Sequence, residues 1–199
     1  MKKYLLLLFI VPLWTNGQKK NMAYPFEKKD QLISIQYGFP NTIKNSLESF
    51  PGFTQLNKKS VGPVAISYDY FVQKLFSIGA CVSYANYNAD YKDIAGFNLA
   101  FTGKLSNISL TVQTVKYLET EGKVLPYAKG NVGLNIWNGS YQSANGQEYK
   151  KFTAPTPVSY NAVVGIRYGF GEKASGYLEA GYGKYIVAAG ISLKIEKKK

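Results

Sequence analysis

The sequence predicts an all-β protein, a closed barrel of eight antiparallel strands, on three observations. Segments of about ten residues in which apolar and polar side chains alternate recur along the chain, and this is the pattern of a strand with two unlike faces. No segment has the periodicity of an amphipathic helix. The links between segments are alternately short and long, as in a barrel whose long loops gather at one end.

A leader precedes the strands. Lys2 and Lys3 come before an apolar run at residues 4–14, and small residues stand three and one before a predicted cleavage after Gly17. This three-part pattern is typical of a secretory signal peptide, and the run is too short to cross a bilayer as a helix. We therefore predict a signal peptide at residues 1–17 and a lead segment at residues 18–29.

The predicted barrel occupies residues 30–196, and a Lys-rich tail follows at residues 197–199. Its eight strands are predicted at residues 30–39, 62–72, 74–86, 106–117, 124–137, 158–170, 174–183 and 185–195. The long links, rich in Asn, Ser, Gly and Pro, are predicted at residues 40–61, 87–105 and 138–157. The tight links are predicted at residues 71–74, 119–123 and 171–173.

One face of the predicted strands is continuously apolar, and the other carries small or polar residues. A soluble β-sandwich with its apolar face inward has the same alternation, so alternation alone does not identify a membrane protein. Aromatic side chains favour a membrane, because they gather near both ends of the apolar face, as at the two interfaces of a bilayer. Their general preference for strands is the alternative explanation. The predicted aromatic girdle comprises Tyr37, Phe39, Tyr68, Tyr70, Phe76, Tyr84, Tyr160, Tyr168, Phe170, Tyr182 and Tyr185.

Few charged side chains fall on the polar face, and their charges cancel. They are Asp69, Lys129, Arg167 and Glu179. A sheet face in water carries Lys and Glu freely, so this sparse, neutral face indicates a narrow interior that side chains fill. We expect the four to form an ion-pair cluster in the lumen, with Arg167 and Glu179 as direct partners. The cluster would be a structural plug, and a gate is the alternative.

These features resemble the small eight-stranded outer-membrane β-barrel proteins of bacteria with two membranes, over nearly all of residues 30–195. The most specific match is the end of the last strand, where Gly190, Leu193 and Ile195 are similar to the assembly signal of that family. The resemblance implies a transmembrane barrel in the outer membrane, with short periplasmic turns and longer external loops. Its implied partners are outer-membrane lipid and the barrel-insertion machinery.

Composition excludes several functions. The chain has no His and one Cys, which excludes a Ser-His-Asp triad, a His-ligated zinc site and a disulfide framework. We therefore predict no enzymatic activity, no cofactor and no metal. The net charge is +12, but Arg167 is the only Arg, and proteins that read nucleic acid generally use Arg. We expect no nucleic-acid partner and place the excess Lys at both membrane surfaces, Lys184 in the external group.

The predicted function is a structural, adhesion or interaction role exerted through the external loops, where an extracellular ligand would bind. One alternative is a narrow channel for small solutes or ions. The other is a secreted soluble barrel that binds an apolar ligand and has its apolar face inward, as lipocalins do.

Overall fold

The computed structural model describes residues 26–43, 52–93, 99–120, 122–143 and 145–195. The predicted signal peptide and the tail at residues 197–199 lie outside the described residues. Within those ranges the strands are β1 (Gln31–Phe39), β2 (Phe53–Gln73), β3 (Phe76–Asp93), β4 (Leu99–Tyr117), β5 (Val124–Ser143), β6 (Glu148–Lys150), β7 (Val158–Gly169), β8 (Ala174–Tyr182) and β9 (Val187–Ile195). The described residues contain no helix of the length and apolarity needed to cross a bilayer.

Eight of the strands form a closed antiparallel ring. In ring order these are β4, β3, β2, β1, β9, β8, β7 and β5, and a β4–β5 pairing closes the ring. The remaining strand, β6, has three residues and pairs only with the end of β5. The first and last strands along the chain, β1 and β9, pair along their whole length. The predicted all-β, eight-stranded antiparallel barrel is therefore confirmed.

The barrel wall is tall on one side and low on the other. Strands β2 to β5 have 18 to 21 residues, whereas β1, β7, β8 and β9 have 9 to 12. We call the end with the tight links after β2, β4 and β7 the turn end, and the opposite end the loop end. All the extra length of the tall side lies at the loop end.

Much of what the sequence predicts as long loops is strand. The prediction of loops at residues 40–61, 87–105 and 138–157 is wrong for the end of the first range, most of the second and the start of the third. Strand β2 begins at Phe53, and β3, β4 and β5 continue into the other two ranges. Alternation persists there, but the outward positions become polar. The apolar pattern predicts that each strand ends where its outward face ceases to be apolar. Only the chemistry of the face changes there, and the strand continues.

Strand β4 contains this change of chemistry. Its outward residues Ile108, Leu110 and Val112 are 43–58% exposed, and the polar residues between them are buried. Nearer the loop end Lys104 points outward, while Phe101 is buried. The inward and outward positions keep their parity along β4, and only the chemistry of the side chains exchanges.

The exchange occurs at one level on three neighbouring strands. Asn86 of β3 pairs with Ser106 of β4, which pairs with Asn138 of β5. We call these three residues the boundary row, and the parts of β3, β4 and β5 on its loop-end side, with the adjoining part of β2, the extension. An apolar cluster fills the interior of the extension and also includes two neighbouring residues, Ile43 and Ala85. Its other buried members are Tyr87, Ala89, Tyr91, Phe101, Leu105 and Tyr141.

A second apolar cluster fills the turn end of the lumen. Phe26, from the predicted lead segment, is fully buried there and stacks on Phe71 with ring centroids 4.3 Å apart. The ring centroid of Tyr117 lies 4.8 Å from that of Phe26. The end of the lead segment thus packs inside the barrel, and Asp30, the residue that follows it, forms a 2.6 Å ion pair with Lys194 of β9.

Candidate functional site

The lumen between the two apolar clusters contains a buried ion pair. Lys129 Nζ of β5 lies 2.5 Å from Glu179 Oε1 of β8, and both side chains are almost fully buried. Tyr127 donates a 2.8 Å hydrogen bond to the same carboxylate oxygen, and Tyr185 donates a 2.5 Å bond to Oε2. Three donors therefore compensate the buried carboxylate, which is the condition for keeping it charged away from water.

Tyr185 is not part of the outer aromatic surface. The prediction that it belongs to the girdle is wrong, since the residue is 3% exposed and its hydroxyl lies inside the barrel. It belongs to the link between β8 and β9, and the alternation of β9, which begins at Val187, does not reach it. Its ring lies so close to the backbone of Gly38 that a Cβ there would come within 2.8 Å of it, so only glycine permits this approach.

Arg167 and Glu179 are not direct partners. Their strands are neighbours, but the register places Arg167 opposite Tyr177 and Glu179 opposite Gly165. Arg167 instead donates to the hydroxyls of Ser175 and Ser192. The predicted pairing is wrong because the two side chains stand at different levels of the lumen.

Aromatic rings surround the guanidinium of Arg167. Its Cζ atom lies 4.7 Å from the ring centroid of Tyr177 and 5.7–5.9 Å from the centroids of Phe26, Tyr117 and Tyr127. Distances below about 6 Å allow cation–π attraction, which compensates a buried cation without a carboxylate. The apolar cluster at the turn end is therefore connected through Arg167 to the charged residues of the lumen.

Asp69 is the fourth charged residue predicted for the lumen. Its carboxylate accepts a 2.8 Å hydrogen bond from Gln113 and a 3.4 Å bond from Ser77. The structure therefore brings Lys129 and Glu179 together as an ion pair, and gives Asp69 and Arg167 uncharged hydrogen-bond partners. All four are buried inside the barrel.

The other girdle residues lie on the outer wall in two belts. All are exposed except Phe76, which is half-buried. Tyr160 and Tyr168 of β7 belong to different belts and are eight residues apart. At about 3.3 Å per residue and a strand tilt of about 40°, this separation is about 20 Å across the wall. The belts comprise Tyr37, Phe39, Tyr84, Tyr160 and Tyr182 towards the loop end, and Tyr68, Tyr70, Phe76, Tyr168 and Phe170 towards the turn end.

The residues of the predicted assembly signal lie in β9 at the seam with β1. Leu193 and Ile195 point outward and are exposed. Gly190 lies against the ring of Tyr177, and a Cβ there would come within 2.5 Å of the Ile35 carbonyl oxygen. Gly190 thus allows Tyr177 to pack across the β1–β9 seam, whatever else recognises this sequence.

Lys184 lies at the loop end of the lumen, in the link between β8 and β9. Its Nζ donates a 2.9 Å hydrogen bond to Ser83 of β3, on the far wall. Burial lowers the pKa of Lys184 to about 8, and the nearby charge of Lys129 acts in the same direction. The prediction that Lys184 belongs to the external charges is therefore wrong, because the short link turns its side chain inward.

Several residues of the lumen network were not predicted as site residues. They are Gln36, Gln113, Tyr127, Tyr177 and Ser192. Each lies on the inward parity of its strand, which was the available signal. Parity identifies a face but not a partner, since partners depend on the register between strands.

No protein-family model matches this sequence, and no curated protein matches it either. Among solved structures, the chain is similar to Ail, the attachment invasion locus protein of Yersinia pestis, with 12% identity, a TM-score of 0.45, and coverage of 84% of this chain and 96% of that chain. For a structure of Ail in complex with the heparin analogue sucrose octasulfate, the identity is 13% and the TM-score 0.43, with coverage of 84% of this chain and 96% of that chain. For the outer membrane protein OprG from Pseudomonas aeruginosa, the identity is 11% and the TM-score 0.41, with coverage of 86% of this chain and 98% of that chain. At these values the likeness is one of strand arrangement.

Proposed function

We propose that this chain is an integral outer-membrane protein that anchors the extension at the cell surface, where it serves adhesion or interaction with an extracellular ligand. The observation that carries the proposal is the exchange of outward chemistry at the boundary row. An apolar wall between two aromatic belts matches a bilayer, and a polar outer face above it matches water. A soluble barrel with an apolar interior would need the opposite orientation of the wall side chains.

We propose that side chains plug the lumen. The rings at the turn end, the ion pair of Lys129 and Glu179, and the apolar interior of the extension occupy successive levels along it. An eight-stranded barrel leaves little room beyond its own side chains. We expect no stable conductance in planar bilayers, and a reproducible open level would favour the narrow-channel alternative over the plug.

The signal peptide and the end of β9 have proposed roles in delivery. Residues 1–17 would direct export and be removed after Gly17, and Gly190, Leu193 and Ile195 would be recognised by the insertion machinery. A mature N-terminus at Gln18 in the purified protein would support the cleavage site. An uncleaved N-terminus would contradict it.

Single cysteines test the orientation of the barrel. In a Cys81→Ser background, Lys104→Cys places a thiol on the outward face of the extension, and Lys74→Cys places one at the turn end. A membrane-impermeant maleimide applied to intact cells should label position 104 and not position 74, whereas broken cells should label both. Labelling of position 74 alone in intact cells, or recovery of the protein in the aqueous fraction, would overturn the proposal.

A further inference from the structure

The low side of the wall leaves a cleft at the loop end of the lumen. Strand β7 begins at Val158 and β8 ends at Tyr182, so the wall stops there near the aromatic belt of the loop end. The cleft has a volume of about 340 Å³. This volume is at the lower end of the range of small-molecule sites, of the size that one sugar ring needs.

Among the residues that the structure describes, the lining of the cleft includes a cation and no carboxylate. The cation is Lys184. With the half-buried Lys184 counted, the described side chains inside the lumen carry three cationic groups, Lys129, Arg167 and Lys184, against the carboxylates of Asp69 and Glu179. The 2.9 Å bond to Ser83 is made to a neutral hydroxyl and leaves this excess of positive charge at the mouth.

A hydroxyl without a partner lies in the same cleft. Ser159 lines the cleft and is 1% exposed, and its Oγ has no hydrogen-bond partner among the described residues. Buried polar groups are normally satisfied, so this hydroxyl is available to a bound molecule.

An aromatic wall completes the cleft. Trp137 of β5 is half-buried and lines it, with its indole nitrogen already donating a 3.1 Å hydrogen bond to the carbonyl of Thr156. That bond fixes the orientation of the ring, which also packs against the apolar interior of the extension. A cation, a hydroxyl and an aromatic side chain together suit a ring that carries both hydroxyls and a negative charge.

We propose that this cleft binds an acidic sugar, a single ring bearing a phosphate or carboxylate, with Lys184 as the cationic contact, Ser159 as a hydrogen-bond donor, and Trp137 as the apolar wall. The ligand could come free from the medium or as the head group of a glycolipid, because the cleft opens at the level of Tyr160 and Tyr182. The inference rests on the proposed function in that the cleft must face the cell exterior. Binding by the purified protein does not depend on that orientation.

Tryptophan fluorescence can test the binding. Trp137 is one of two tryptophans, and the other, Trp14, lies in the predicted signal peptide. Purified exported protein in neutral detergent would be titrated with glucose 6-phosphate, glucuronate and glucose. We expect a saturable change with the two acidic sugars and at least about tenfold weaker binding of glucose, since a charge-assisted hydrogen bond is lost. Equal binding of glucose would overturn the proposal.

Variants assign the contacts. Lys184→Gln should weaken binding of glucose 6-phosphate about tenfold, and Ser159→Ala should weaken it a few-fold. Lys104→Gln, a change of an exposed lysine outside the cleft, should leave it unchanged. Heat-modifiable gel migration reports folding, so Ser159→Ala decides the test if Lys184→Gln does not fold. Unchanged binding in a folded Lys184→Gln or Ser159→Ala variant would overturn the assignment.

A second titration separates the two sources. Mixed micelles of neutral detergent and a phosphorylated glycolipid would replace the free sugars. Binding to the micelles alone, with loss in Lys184→Gln, would support a glycolipid head group. Binding of free glucose 6-phosphate with the same loss would support a soluble ligand. Binding to neither would overturn the proposal and leave the maleimide labelling of the barrel unaffected.

Discussion

The barrel wall and the extension are built from the same strands and differ in which side of the sheet is apolar. On β4, Leu110 faces outward in the wall, while Phe101 faces inward in the extension. The backbone pairing with β5 continues through the boundary row. Backbone geometry therefore does not select the apolar face. In the proposed membrane location the surrounding solvent selects it, since lipid accepts apolar side chains and water does not.

The two interiors differ most at the middle of the wall. The extension buries stacked rings, such as those of Tyr91 and Phe101 with centroids 4.5 Å apart. The wall also encloses stacked rings at its turn end, but its middle contains hydrogen bonds and an ion pair between Lys129 and Glu179. There, satisfied polar contacts hold the strands in register. Each of these contacts then depends on the presence of its partner.

Removal of one lumen charge should have the largest effect. In Lys129→Met the carboxylate of Glu179 remains buried and loses its cation, so we expect a loss of about 3–5 kcal/mol in the free energy of unfolding. Urea unfolding in lipid vesicles, followed by heat-modifiable migration, measures it. The second change Glu179→Leu in the same chain should recover most of the loss, because it makes this level apolar like the interior of the extension. If the double variant does not recover stability, the loss of the hydrogen bonds from the tyrosine hydroxyls to the carboxylate costs more than the loss of the ion pair with Lys129.

A charge on the outer wall should have the next largest effect. Leu110→Arg places a cation at mid-height between the belts, where the cost is about 2–4 kcal/mol if lipid surrounds it. Ser106→Arg, on the same face of β4 but in the boundary row, should cost less than about 0.5 kcal/mol, as on a water-exposed surface. The same vesicle unfolding experiment compares them. Equal effects at the two positions would show that the boundary row does not mark the edge of the bilayer.

The sequence predicts the part of the molecule that a periodic pattern can describe. Alternation and link lengths correctly predict the ring of eight strands, and outward parity correctly places Leu193 and most of the girdle. The pattern fails where it changes: the apolar criterion ends β3 too early. Parity sends Tyr185 outward, and the assignment of Lys184 to an external link places it with the external charges, although both side chains turn inward in the β8–β9 link. Partners such as Lys129 for Glu179 depend on register across strands that are distant in sequence, which no local pattern contains.

A further effect concerns the pH dependence at the mouth. Lys184 lies in a link at the loop end, and burial lowers its pKa to about 8 from 10.5. Between those pH values the unfolded chain binds a proton that the folded chain has released, so the stability of the folded protein rises with pH through this window and is fully gained above it. Without an anionic ligand, the urea midpoint of the native chain should therefore rise relative to that of Lys184→Met between pH 7 and pH 10. Other lysines and tyrosines titrate in both proteins and cancel in the difference, whereas a difference that stays flat would place Lys184 in water, with the outer face of the extension and not with the lumen.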